Sequence, residues 1–317
     1  MRRKITKNFI INLMLLIIIS IILILPKASM KAAESGLLLW FNVIIPTLFP
    51  FILLSNIIIR SNIIYYINII FTPIMSKLFG LPGVAGYAFI TGFLSGYPVG
   101  AKITGDLYNE RVVSLAQAQY MLTFCNNASP MFIIGFIATG LLNNTYLGII
   151  MLIVIYFANL ITSLIYRVIY SKSLPPINTS NKPKHINKKI TFSIFDECIM
   201  NAISLIVKIG GYIIFFSIIL NCFYLIPIKS SIIKDFLFSL IELANGVKLL
   251  VSSSADISVK FVLLCTLTAF GTFSVHAQTA SVLTNTNLNL NKYMFSKLIN
   301  AVITFITAII ATLIFIS

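Results

Sequence analysis

Four short clusters of polar side chains sit inside otherwise apolar sequence, and their chemistry is that of binding a solute. The first is Ser95-Gly96-Tyr97-Pro98, followed by Lys102. A chain broken by Gly and Pro leaves backbone amides without helical partners. Free amides bind polar groups, Tyr97 offers a ring for stacking, and Lys102 could neutralise a carboxylate. The second is Asn126, Asn127 and Ser129 before Pro130, which suits the start of a half-helix with Ser129 or Asn127 as its cap. The third is Glu242 with Asn245 and Gly246, an acid within an apolar run. An ionisable group there is costly, so it should face the interior. Substrate hydrogen bonding, cation coupling and a pair with Lys248 are all open for it, and Asn245-Gly246 fits local unwinding. The fourth is Ser274, His276 and Gln278, alternating with Val275 and Ala277. This alternation fits an extended hairpin tip better than one face of a helix.

Each cluster also has a plainer reading. Residues 95–98 could kink a buried helix, Lys102 could snorkel to headgroups, 126–130 could be an ordinary capped loop, and His276 could be a packing residue. Bond-making chemistry is not indicated. No nucleophile elbow, H-E-x-x-H or P-loop occurs, and the eight acids are scattered without acid–base spacing. The expectation is therefore not an enzyme, with no cofactor and no metal site. The four cysteines, Cys125, Cys198, Cys222 and Cys265, form no ligand pattern and read as small buried hydrophobes.

These clusters need a frame, and composition names its solvent. Of 317 residues, 58% are hydrophobic and 10% charged, and the mean hydropathy is +0.99. A soluble chain carries about a quarter charged residues; this one needs lipid around it. The net charge of +15 lies in short segments beside apolar runs, so it reads as orientation and membrane-surface contact rather than nucleic-acid binding.

Arg2, Arg3, Lys4 and Lys7 precede an apolar run, 9–25, that reads as an uncleaved first span with a cytoplasmic N-terminus. An amphipathic stretch at 32–40 follows, then spans at 43–59 and 63–79. Between 80 and 105 glycines and prolines crowd together, which lipid-facing helix would not tolerate. Residues 110–124 are polar and amphipathic, and 146–170 can span. The segment 171–190 is a basic linker, expected in the cytoplasm. Further spans fall at 203–225, 232–251 and 293–316, with a polar-interrupted stretch at 259–283. The expected fold is an all-α polytopic membrane protein of about eight transmembrane helices plus two re-entrant hairpins in an inverted repeat. Its parts are 1–26, an N-terminal span; 27–170, a first repeat; 171–190, the linker; and 191–317, a second repeat. Such repeats, with interrupted segments at matching positions, point to a midplane binding site in secondary transporters.

Several runs carry a family resemblance. They are the stretches 92–102 (Gly92 to Lys102), 124–133 and 270–278, with Trp40-Phe41-Asn42-Val43-Ile44-Ile45-Pro46 and Glu242-Leu243-Ala244-Asn245-Gly246. Taken in chain order, they resemble the YlbJ-type sporulation integral membrane proteins over nearly the whole chain. Thr272 and Cys125 stand where a Gly and a Thr or Cys are expected. The resemblance implies the nucleoside-recognition or "Gate" group, similar to concentrative nucleoside transporters. It also implies a stage V sporulation role, moving dipicolinic acid from the mother cell across the outer forespore membrane. A nucleoside, another carboxylate, or a non-transporting scaffold of spore morphogenesis are the rival roles. The expected partners are a small polar aromatic solute and the bilayer, without nucleic acid, and a homo-oligomer is left open.

Overall fold

The computed structural model describes residues 2–61, 63–175, 191–224 and 231–316. Among them the chain is all helix, without a strand, and it is an integral membrane protein. By length and composition, five helical stretches can cross a membrane: Pro26–Ile58, Thr145–Tyr170, Phe192–Tyr224, Ile257–Val282 and Leu290–Phe315.

Helix α1 (Arg2–Ile24) covers the run expected as a first span, and Pro26 takes the first turn of α2 (Pro26–Leu39), where a missing N–H is harmless. A π-helical turn, Trp40–Ile44, joins α2 to α3 (Ile45–Arg60). Pro46 cannot donate to the carbonyl four residues back, and the wider turn accommodates that gap. The expected amphipathic stretch and the span at 43–59 are thus one continuous helix. Next come α4 (Ile63–Ile74), extended by a π-helical turn at Met75–Phe79, and a hairpin of α5 (Ala85–Ser95) and α6 (Val99–Asn109). Helix α7 (Leu115–Cys125) starts with a capping box at Ser114 and Gln117 and stops at Cys125. Non-helical residues 126–129 separate it from a second half, Met131–Leu141, and α8 (Thr145–Tyr170) returns.

The second half of the chain repeats this order. It has the long α9 (Phe192–Tyr224), a hairpin of α10 (Ile232–Ser239) and α11 (Leu243–Ser252), an interrupted helix of α12 (Ile257–Phe270) and α13 (Phe273–Val282), and α14 (Leu290–Phe315). The corresponding long elements match in length: 33 residues for Pro26–Ile58 and for α9, 26 for α8 and for α14.

Side-chain contacts give the direction of each half. Along α9, Asn221 donates to the Ala28 carbonyl, Ile206 accepts from Trp40 Nε1 at 2.8 Å, Cys198 accepts from Asn56, and Glu197 pairs with Arg60. The α2–α3 helix and α9 are therefore antiparallel. The first hairpin has its ends near Arg60 and α13–α14, since Tyr108 accepts from Asn287. The second has its ends beside the far terminus of α9, where Tyr224 lines one cleft with Ser231, Ile232, Ser252 and Ser253. The two hairpins enter from opposite ends of the bundle.

Two expected spans do not cross: 232–251 is the hairpin of α10 and α11, and 63–79 stays at one end. Residue 60 is tied to Glu197 at the start of α9, while Arg167 near the end of α8 donates to the carbonyls of Lys77 and Leu78. Both ends of 63–79 are thus held at the same end of the bundle, and α4 lies along that end. Its apolar richness was read as length enough to span, but an amphipathic helix in an interface needs the same residues. The basic linker, from residue 176 on, falls outside the described residues. All four cysteines are free and buried.

Lipid tails are as apolar as leucine, so close backbone approach and buried polar contacts hold such helices together. The main example is a pair of glycines. A Cβ on either Gly92 or Gly100 would overlap the Cys125 carbonyl oxygen. The end of α7 is thereby clamped between the two arms of the first hairpin.

Candidate functional site

The two hairpin tips and the two helix breaks converge. Helix α5 ends at Gly96, whose φ of +80° is a conformation L side chains rarely adopt. Gly96 abuts Ser129 of the first break. From the same tip, the Tyr97 hydroxyl reaches across the pseudo-symmetric halves and donates to the Thr268 carbonyl, just before the second break. At the second tip, the carbonyls of Leu240 and Ile241 accept from the backbone amides of Phe273 (2.8 Å) and Ser274 (3.1 Å). A small cavity of about 60 Å³ lies between these pieces, lined by Ser95, Gly96, Tyr97, Ser129, Glu242 and Gln278 among others. Six residues singled out from sequence thus share one wall. The volume suits a few water molecules, so the hairpins must part to admit a ring.

The expectation of free helix amides at the tips is corrected. Ser129 Oγ accepts from the Phe132 amide at 3.2 Å, making Ser129 the cap of Met131–Leu141. Glu242 caps α11, its two oxygens accepting from the amides of Ala244 (3.2 Å) and Asn245 (2.8 Å). The first amides of α13 are taken by the second hairpin. The cavity instead sees side chains, and Ser95 Oγ is buried without a partner among the described residues. An orphaned buried hydroxyl is where a ligand group can supply the missing bond.

Asn126 ties four elements together. Its Oδ1 accepts from the Ala101 amide, and its Nδ2 donates to Thr279 Oγ1 (3.1 Å) and the Tyr293 hydroxyl (2.9 Å). Asn127 donates to the Phe124 carbonyl and accepts from Lys297 Nζ at 2.7 Å. Both asparagines stand behind the cavity wall. Pro98 opens α6 through the cis Tyr97-Pro98 bond.

The remaining expectations move. Lys102 forms a 2.7 Å ion pair with Asp106 one turn on, away from the cavity. Asn245 and Gly246 lie inside α11, with no unwinding there; Gly246 packs on Ser239, whose hydroxyl donates to its carbonyl. Asn245 faces the other side and donates to Ser217 Oγ at 2.8 Å. Glu242 and Lys248 form no salt bridge. Ser274, His276 and Gln278 belong to helix α13, not to an extended tip. Four residues apart, Ser274 and Gln278 share a face and hydrogen-bond at 3.2 Å. His276 is buried, edge-on to Phe270 and Tyr293, with neither ring nitrogen partnered among the described residues. The second hairpin is α10–α11, which the sequence presents as an unbroken apolar run. The stretch at 259–283 is the interrupted pass.

Lys297 escaped the sequence reading. It is fully buried in α14, and its Nζ lies 5.8 Å from the centre of the Tyr293 ring. The signal was a polar stripe at helical spacing, Tyr293, Lys297, Asn300 and Thr304, within a span.

Capping through both carboxylate oxygens explains Glu242. Glu242→Gln keeps one oxygen for the α11 amides and turns an NH2 donor toward the other amide, so its thermal unfolding in detergent should fall between the wild type and Glu242→Ala. Glu242→Ala should lose about 1 kcal/mol, as lost N-caps do. Equal losses would mean that one accepting oxygen does not suffice and that the cap needs both carboxylate oxygens.

No family model matches the chain, and no solved structure matches it. Over 87% of its length it is 27% identical to the sporulation integral membrane protein YlbJ of Bacillus subtilis (strain 168), and the match covers 76% of that protein. The resemblance to YlbJ-type sporulation integral membrane proteins, read from motifs at both tips and both breaks, is borne out along nearly the whole chain.

Proposed function

We propose that this protein is a secondary carrier acting in sporulation. It moves a small polar aromatic solute, dipicolinate, from the mother cell across the outer forespore membrane, as a transporter and not as an enzyme. The observation that carries the reading is the convergence of two oppositely entering hairpins and two helix breaks on one small cavity that holds polar side chains in an apolar lining. That is the arrangement by which carriers expose a fixed site to each side in turn. The relative's sporulation role supports the setting. With the basic linker and the N-terminus on the cytoplasmic side, the first hairpin enters from the mother-cell side and the second from the intermembrane side.

The test is uptake of labelled dipicolinate by proteoliposomes holding the purified protein, with uridine as competitor. Saturable uptake that excess uridine leaves unchanged, and that Tyr97→Ala abolishes, is the expected result. Competition by uridine would transfer the site to nucleosides. Absence of uptake above empty liposomes, from folded and inserted protein, would defeat the carrier reading and favour a membrane scaffold.

A further inference from the structure

A second cavity, of about 510 Å³, opens on the other side of α11. Its walls are α2, the last turns of α9, and α11. It is lined by Lys31, Ser35, Ser217, Asn221, Asn245 and Lys248, with Tyr224 at its edge. Both lysines are exposed, and neither forms a salt bridge or hydrogen bond among the described residues. The amides and hydroxyls between them are already ordered. Asn245 bridges Ser217 and Ser35 (2.8 and 3.4 Å), and Asn221 is held by the Ala28 carbonyl. No acidic side chain lines the cavity.

We propose that this cavity is an oxyanion-binding vestibule, in which Lys31 and Lys248 hold a carboxylate or phosphate against the outer wall of the second hairpin. Two point charges about an ordered polar floor favour an anion over a neutral solute. The volume falls in the range of small-molecule clefts. The position is informative as well. Glu242 and Ala244 line the central cavity, while Asn245, the next residue, lines the vestibule. The first turn of α11 is therefore the partition between the two spaces. A solute leaving the central site past this hairpin meets the two lysines. Its use in transport rests on the carrier reading above; its affinity for oxyanions does not.

The experiment measures equilibrium binding of labelled dipicolinate to full-length protein in nanodiscs of neutral lipid, in a Tyr97→Ala background that disables the central site. Residual binding is expected. It should weaken roughly tenfold or more when Lys31→Gln and Lys248→Gln are added, since charge-assisted hydrogen bonds are lost, and return with Lys31→Arg and Lys248→Arg. Binding that ignores the glutamine substitutions overturns the proposal. A parallel arm uses phosphatidylglycerol nanodiscs and native mass spectrometry. Lipid retained only when both lysines are present, without residual dipicolinate binding, assigns the oxyanion to a headgroup. Loss of neither ligand in the glutamine variant, or binding of neither by its parent, refutes an oxyanion site. Because binding is scored without transport, a wild type that fails to transport counts against the carrier reading alone.

Discussion

Lys297→Met is expected to lower dipicolinate uptake by roughly tenfold or more while leaving thermal stability close to that of the wild type. The expectation follows from two opposed effects on stability. Removing the ammonium leaves Asn127 Oδ1 without its 2.7 Å donor, and a buried unpaired acceptor costs about 1–3 kcal/mol. Against this, methionine no longer carries a charged group into a fully buried site, where desolvation is expensive and no carboxylate forms a salt bridge with it. Replacing buried ions by apolar residues of similar volume is often neutral or stabilising. Function has no such offset. Lys297 is the positive charge nearest the first break, held one asparagine behind the wall that includes Ser129. An anionic solute brought to that wall loses its nearest counter-charge. Asn127→Ala should reduce uptake by a similar factor, and the double variant should be no worse than either single one, because the two act as a unit. Uptake that falls only in step with unfolding would make Lys297 a packing residue.

What was legible in the sequence was breakage, and what was not was which half of each broken element does the breaking. The glycine-rich stretch around Gly96 reads directly as a hairpin because Gly and Pro interrupt it. The second hairpin carries no such punctuation at its tip. Leu240, Ile241 and Glu242 interrupt α10 and α11 through a cap, and apolar counting sees a continuous span. With that run read as a span, the Gly271-Thr272 break is left as the apparent hairpin. The alternation Ser274, His276, Gln278 seemed to forbid a helix, yet only the outer pair needs a common face. Six of the chosen residues do line the cavity, and they were found because polar groups in lipid need a reason. Lys297 was overlooked for the opposite cause. A single lysine near a helix end reads as snorkelling, and only the stripe it shares with Tyr293 and Asn300 marks it as interior.

Gly100→Ala is expected to be the most damaging single methyl added to this protein. The new Cβ would overlap the Cys125 carbonyl oxygen, and Gly92→Ala would strike the same atom from the opposite arm. The obstacle is backbone, so no side chain can swing aside. Relief requires separating α5 from α6 or moving the end of α7, and either shift carries Asn126 away from the Ala101 amide it accepts from. Overpacking of a tight interior typically costs 1–3 kcal/mol, and this case belongs at about 3. Thermal unfolding of the purified variant in detergent measures the loss, and uptake at a temperature where the variant is still folded measures the displacement of the first break. Gly211→Ala is the matched control, since its Cβ meets nothing within 4 Å and alanine is the better helix former by about 1 kcal/mol. If Gly100→Ala and Gly211→Ala behave alike, the first hairpin is not clamped on the end of α7, and the cavity's wall on that side is not fixed by the glycine pair.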